Sequence, residues 1–287
     1  MSRIELRALS KRYGQTLALK QVDLTLEGQK IVGLLGRNGA GKTTLLNLLT
    51  AKLHPTEGTI AIDGEPVWEN DAVLGRVFYM TEANLHPGSL RVREAFQWTA
   101  QFYPGFRTAY GEELARRFEL DTSKRVKELS TGYSSIFKAI LALASGASIL
   151  LFDEPVLGLD ANHREMLYRE ILANYIEEPK VVIISTHLID EVADILEEVI
   201  IIDKGRVIRH QPVEELLESA YAVSGEASKV DQYIQGRNYL SEERLQNFKS
   251  VIVVGGAVDR ALAKSLGLEI GRPELQKLFI ALTNSNA

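Results

Sequence analysis

The stretch Gly36-Arg-Asn-Gly-Ala-Gly-Lys42-Thr43 decides how this sequence is read. It fits the pattern G-x-x-x-x-G-K-[S/T], whose backbone amides and lysine hold phosphate groups. The apolar run Ile31–Leu35 before it reads as a strand, and Thr44-Leu-Leu-Asn-Leu-Leu after it reads as a helix. Gly36, Gly39 and Gly41 reach backbone angles that residues with a Cβ avoid, so their amides can turn inward around an anion. The helix beginning near Lys42 points its positive end at the same place. Lys42 is expected to reach the β- and γ-phosphates, and the Thr43 hydroxyl to sit on Mg²⁺. The competing reading, a plain glycine turn, leaves the ordered lysine and threonine unexplained.

Working outward, strands alternate with helices. Partial alternation marks residues 3–9 and 17–26 as strands, with Tyr13 and Gly14 in the turn between them. Thr59–Ile62 and Arg76–Met80 read as further strands. From Thr81 to Leu129 strand signals fade, and helical spacing appears in Arg91–Phe102 and Thr108–Phe118. The aromatic residues of this insert, Trp98 among them, read as the core of a helical subdomain or, in part, as the lining of a partner groove. Ser134–Leu143 reads as a helix. Ile149–Phe152 is a buried strand ending at Asp153-Glu154-Pro155, since proline has no amide for the ladder. Ala161–Tyr175 is a helix capped by Asp160. Lys180–Ser185 is a continuously apolar strand, Leu188–Leu196 a helix, and Val199–Ile202 with Arg206–Arg209 a hairpin. Such alternation around a phosphate loop specifies an α/β sheet domain. A boundary is expected near residues 218–222, followed by Tyr221–Ser224, the strand Ser250–Val254, a helix from Ala257 and a last helix in Glu274–Leu282.

Composition sets the outer limits. The 287 residues are 45% hydrophobic and 25% charged, with a net charge of −5 and no cysteine. That excludes disulfides and thiolate metal sites and gives no general attraction to nucleic acid. No apolar window is long enough to span a bilayer, and the charged first twenty residues do not resemble a secretory signal.

ATP hydrolysis needs a held Mg²⁺, a positioned water and compensation for charge on the transferring phosphoryl group. Asp153, at a strand end, suits a carboxylate that steadies Mg²⁺ through its water shell, and Glu154 suits one that polarises the attacking water. The alternative for both is a solvated turn. Parallel pairing would bring His187, at the end of the next strand, to the same sheet edge, where its imidazole could bond the γ-phosphate or the water.

Together these segments resemble the nucleotide-binding subunit of an ABC transporter over about residues 2–218. Gly36–Thr43 matches that family's Walker A, with Gly36, Asn38, Gly39, Gly41, Lys42, Thr43 and the adjoining Thr44 as the implied nucleotide contacts. Ile149–Glu154 matches Walker B with its catalytic glutamate, Gly158-Leu-Asp160 the D-loop, His187 the switch histidine, and Tyr13 the aromatic that stacks on adenine. Leu129-Ser130-Thr131-Gly132-Tyr133 matches the LSGGQ signature imperfectly, with Thr131 at a glycine position and Tyr133 for glutamine. Glu82 stands where the family's lid carries glutamine; its alternative reading is a solvated loop glutamate. The resemblance implies a P-loop NTPase sheet core with an antiparallel β subdomain and an inserted helical subdomain at about 83–145. A small C-terminal α/β accessory domain, residues 219–287, would follow. It further implies Mg²⁺ and ATP, a homodimer or a heterodimer with a similar ATPase closing head to tail, and transmembrane permease subunits. LSTGY followed by SSIFK, with the later ELQKLF, resembles bacterial ABC-2-type exporters similar to the Gram-positive acetoin-utilisation and cell-envelope-stress transporter. That implies a place on the cytoplasmic face of a bacterial membrane, held there by partners. Two rivals stand beside it: a soluble ABC ATPase, and a weakly hydrolysing regulatory or scaffold subunit. Glu82 and the altered signature support the second rival.

Overall fold

The computed structural model describes residues 2–285. They fall into two compact units, divided between His210 and Gln211.

The first unit opens with β1 (Arg3–Tyr13), β2 (Thr16–Glu27) and β3 (Lys30–Leu35), followed by α1 (Lys42–Leu49). Next come β4 (Glu57–Ile62), β5 (Glu65–Pro66), α2 (Asp71–Leu74) and β6 (Val77–Met80). The inserted helices are α3 (Val92–Phe102), α4 (Thr108–Arg117) and α5 (Thr131–Ala144). The chain then returns through β7 (Ile149–Asp153), α6 (Ala161–Glu177), β8 (Val181–Thr186), α7 (Ile189–Val192), β9 (Glu198–Asp203) and β10 (Arg206–Pro212).

Two sheets organise these elements. One is four-stranded, in the order β2-β1-β4-β5, with antiparallel pairing throughout. The other is six-stranded, in the order β10-β9-β3-β8-β7-β6, and the ladders from β9 to β6 are parallel. Strands β7, β8 and β9 are buried along their whole length. That fits a parallel sheet covered on both faces, and it explains why their sequences are nearly continuous apolar runs. Register places the functional edge: Leu35 pairs with Thr186, and Asp153 with Ser185. The segments following β3, β7 and β8 therefore leave one edge of the sheet together.

In the insert, Phe96, Phe118 and Phe137 are fully buried, Tyr103, Phe106 and Tyr110 are partly covered, and Phe102 is exposed. Trp98 is half-exposed, with its ring 5.0 Å from that of Phe102. Some boundaries differ from the sequence reading. Tyr13 ends β1, paired with Thr16, instead of lying in the turn. Helix α5 begins at Thr131 with Ser130 as its cap, in line with the reading that Ser130 opens the helix running through Ser134–Leu143. The expected helix Leu188–Leu196 shortens to α7 and a 3₁₀ turn, Ala193–Ile195.

The second unit runs α8 (Val213–Glu218), β11 (Ala220–Glu226), α9 (Ala227–Tyr233), β12 (Tyr239–Leu245) and β13 (Phe248–Val254). It closes with α10 (Arg260–Leu266), β14 (Glu269–Gly271) and α11 (Leu275–Ser285). Its strands form one antiparallel sheet in the order β12-β13-β11-β14. The βαββαβ succession with that order is the split βαβ arrangement. Val223, Val230, Tyr233, Val251 and Val253 form its separate core. Helix α8, placed by the sequence reading with the first domain, lies in this unit.

Candidate functional site

The loop between β3 and α1 is shaped by its glycines. A Cβ on Gly36 would lie 2.6 Å from the Ile202 carbonyl oxygen. Gly41 has φ +114, and a Cβ there would lie 2.8 Å from the Ala18 carbonyl oxygen. Neither position accepts a side chain, so the backbone itself forms the cradle. Lys42 is buried, and its Nζ donates to the Gly36 carbonyl at 2.7 Å. Burial lowers its pKa, while the Glu154 and then the Asp153 carboxylates pull the other way. Asn38 and Thr43 are exposed, and Thr44 is partly covered on the first turn of α1.

Asp153 ends β7, 5% exposed, and its carboxylate is held at both oxygens. Ser185 Oγ donates to Oδ1 at 2.8 Å, and the Tyr79 hydroxyl donates to Oδ2 at 3.2 Å. Burial, then the Asp153 charge, raises the Tyr79 pKa, so the phenol stays a donor. Sequence reasoning missed both partners. Ser185 carried a readable signal, a polar residue directly following the apolar run Val181–Ile184, and the ladder sets it opposite Asp153. Tyr79 carried none, because its role depends on the pairing of β6 with β7.

Glu154 adopts φ 49, left-handed for a residue with a side chain. Its amide donates to the Ser185 carbonyl at 2.8 Å, which anchors the turn out of β7. The turned carboxylate meets His187, with Nδ1 2.9 Å from Oε2. Thr43, Glu82, Asp153, Tyr79, Asn47 and Lys52 line one open cavity. Lys52 lies over the Tyr79 ring at 4.6 Å, adding a cation to that wall. Thus Lys42, Thr43, Asp153, Glu154, His187 and Glu82 converge on one edge of the sheet.

Ser130 and Gly132 form a second group. Ser130 Oγ accepts from the Tyr133 amide at 3.2 Å, capping α5. A Cβ on Gly132 would lie 2.6 Å from the Gly158 carbonyl oxygen, and Ser135 Oγ donates to the Leu157 carbonyl at 2.8 Å. The signature stretch therefore packs on the 157–159 segment. Asp160 caps α6, accepting from the His163 amide at 2.9 Å. That bond, and the His163 ring bonded to the same carboxylate, hold the Asp160 carboxyl below its ordinary pKa. Tyr13 is 47% exposed at the end of β1.

Among the described residues no three His, Cys, Asp or Glu side chains cluster as a metal cage. The donor set suits Mg²⁺, which is commonly held by one or two carboxylates with substrate phosphates supplying further oxygens.

Comparison with known proteins bears on the same motifs. A family model described as ABC transporter matches residues 19–157. The ABC transporter ATP-binding protein YtrB of Bacillus subtilis is 31% identical over 215 residues, 75% of this chain and 74% of its own length. The chain belongs to the ATP-binding subunits of ABC transporters. NatA, another ABC transporter ATP-binding protein of Bacillus subtilis, is 33% identical over 70% of this chain and 85% of its own length. The Nod factor export ATP-binding protein I of Burkholderia lata is 31% identical, over 75% and 73%. Among solved structures, a dimeric ATP-binding cassette in a post-hydrolysis state with ADP and Pi matches this ABC ATPase with TM-score 0.66. It is 25% identical and covers 73% of this chain and 98% of its own. The structure of an ATP-binding subunit of an ABC transporter matches in fold, with TM-score 0.68 at 23% identity, covering 75% and 92%. The general activity of this ABC ATPase is ATP binding and hydrolysis coupled to transport. No helix among the described residues is long and apolar enough to cross a membrane.

Proposed function

We propose that this ABC ATPase binds Mg-ATP on Gly36–Thr44 and hydrolyses it with Glu154 as the group that orients the attacking water. The observation that carries this reading is the convergence of Lys42, Asp153 and the Glu154–His187 pair at the ends of β7 and β8. Thr43 and Asp153 would hold Mg²⁺, which supplies charge neutralisation on the phosphate oxygens. Ser185 and Tyr79 fix the Asp153 carboxylate so that its position does not depend on the nucleotide. His187 sits on Glu154 and keeps its carboxylate turned toward the sheet edge.

Tyr13 offers an exposed ring for adenine, with Lys11 over it at 5.4 Å. Tyr13→Ala is expected to weaken ATP binding by about 1–3 kcal/mol, the scale of base–aromatic stacking. Titration with ATP measures it, and unchanged affinity would move the base elsewhere.

The ATP-bound state is a head-to-tail dimer, a homodimer or a pair with a similar ATPase. Ser130 and Gly132 would place the positive end of α5 on the partner's nucleotide. In a mixed dimer carrying Lys42→Ala in one subunit and Ser130→Arg in the other, both defects fall in one composite site. The second site stays intact, so ATP-dependent closure survives at one site. With both changes in one subunit, both sites are damaged. Equal closure in the two arrangements, read by gel filtration, would reject the cross-subunit role.

The driven transporter is an ABC-2-type exporter, its permease subunits holding this chain at the cytoplasmic face of a bacterial membrane. Support comes from LSTGY, SSIFK and ELQKLF, and from similarity to proteins named for Nod factor export. Affinity purification from detergent-solubilised membranes should recover a multi-span permease with the chain. Recovery of ribosomal or other soluble assemblies alone would favour a soluble ABC ATPase.

A further inference from the structure

Residue 138 does not match its surroundings. Helix α5 is buried from Ser135 to Ala144, and apart from Ser135 every other side chain in that run is apolar. Lys138 is nevertheless 8% exposed. A buried charge is costly unless its donors are satisfied. Burial lowers the Lys138 pKa, and the nearby Glu82 carboxylate pulls it back up. The donors go to the segment leaving β6: Nζ donates to the Thr81 carbonyl at 2.9 Å and to the Glu82 carbonyl at 2.6 Å. Two successive carbonyls thus converge on one ammonium, a contact that a neutral side chain of equal length cannot make.

This contact joins two groups of the site. Glu82 lines the cavity with Thr43 and Asp153. Helix α5 begins at the Ser130 cap, about two turns before Lys138. A helix is stiff over that length, so the cap and Nζ move as one body. The Thr81–Glu82 peptide is then tied to the signature end of α5.

We propose that Lys138 is a positioning residue that clamps the Thr81 and Glu82 carbonyls to α5. The clamp sets where the Glu82 side chain stands toward the phosphate site and transmits displacement of the Ser130 end to it. The contact itself stands on geometry, and its effect on turnover rests on the ATPase reading above.

The full-length chain tests this with Lys138→Met, which keeps the stem and removes all donors. In the nucleotide-free protein, amide exchange over residues 81–86 should rise by at least about tenfold while residues 140–144 stay protected. The kcat for ATP should fall by about tenfold with KM changed less, the pattern of a transition-state effect. Lys138→Arg should restore much of both. In a Glu82→Ala background, Lys138→Met should cost little further turnover, because the residue it acts through is gone. Unchanged exchange over 81–86 would overturn the clamp. Faster exchange with unchanged kcat, or a loss that multiplies independently with Glu82→Ala, would overturn the positioning role. If Lys138→Met does not fold, Lys138→Gln, which keeps one polar donor group without charge, carries the same comparisons. If the parent chain shows no turnover, the ATPase reading fails by itself, and exchange over 81–86 still decides whether Lys138 holds the segment.

Discussion

Lys42→Ala is expected to lower ATP turnover by at least about a hundredfold, since charge preorganised at a transferring phosphoryl group is among the largest catalytic contributions. The lysine is already desolvated, 7% exposed, and its amine is parked on the Gly36 carbonyl at the mouth of the loop. Little reorganisation separates that position from one on a bound phosphate. The carboxylates of Glu154 and Asp153 both act on it. Removing the cation therefore leaves two acidic groups facing an anionic substrate without compensation, and ATP affinity should fall along with turnover. The fold should persist, because the hydrophobic side of α1 is carried by Leu45, Leu46, Leu48 and Leu49. Phosphate release and ATP titration on the same preparation check both expectations. Parental turnover would remove the loop from the chemistry.

Glu154→Gln should behave differently. The amide keeps the size of the side chain and an oxygen for the His187 ring, now 2.9 Å from Oε2. The charge that orients water is lost. General-base groups commonly contribute about 10²–10⁴ in rate, and a loss at the lower end of that range or beyond is expected. ATP binding should survive, so the ATP-bound dimer accumulates and is visible by light scattering. Full turnover in this variant would assign the base to another group. Asp153→Asn should instead weaken the dependence on Mg²⁺ itself, which separates the two adjacent carboxylates.

What could be read from the sequence was local. The phosphate loop announced itself because three glycines, a lysine and a threonine occur in order between an apolar strand and a helix. β7 was readable from its apolar run and from Pro155, and the meeting of Asp153, Glu154 and His187 at one edge followed from parallel pairing. Elements held by backbone pairing were harder to see. β12 reads Tyr-Leu-Ser-Glu-Glu-Arg-Leu, mostly exposed, and its ladder to β13 makes it a strand. Helix α2 is four residues long, capped by Asn70, too short to show a period. The start of α5 was legible at Ser130, a residue type that caps helices, although Gly132 weakens helical propensity in the first turn. The Tyr79–Asp153 bond links residues 74 positions apart, and only the sheet order brings them together.

The left-handed backbone at Glu154 sets thermostability against activity. Holding φ 49 costs an L-residue about 1–2 kcal/mol that glycine would not incur. A Glu154→Gly chain should therefore melt at a higher temperature than the parent and lose turnover by at least about a hundredfold. Folding alone disfavours a side chain in this conformation, and the role in turnover proposed for Glu154 would account for its presence there. A laboratory screen that ranks variants of this chain by heat resistance would be drawn to the substitution that disables it.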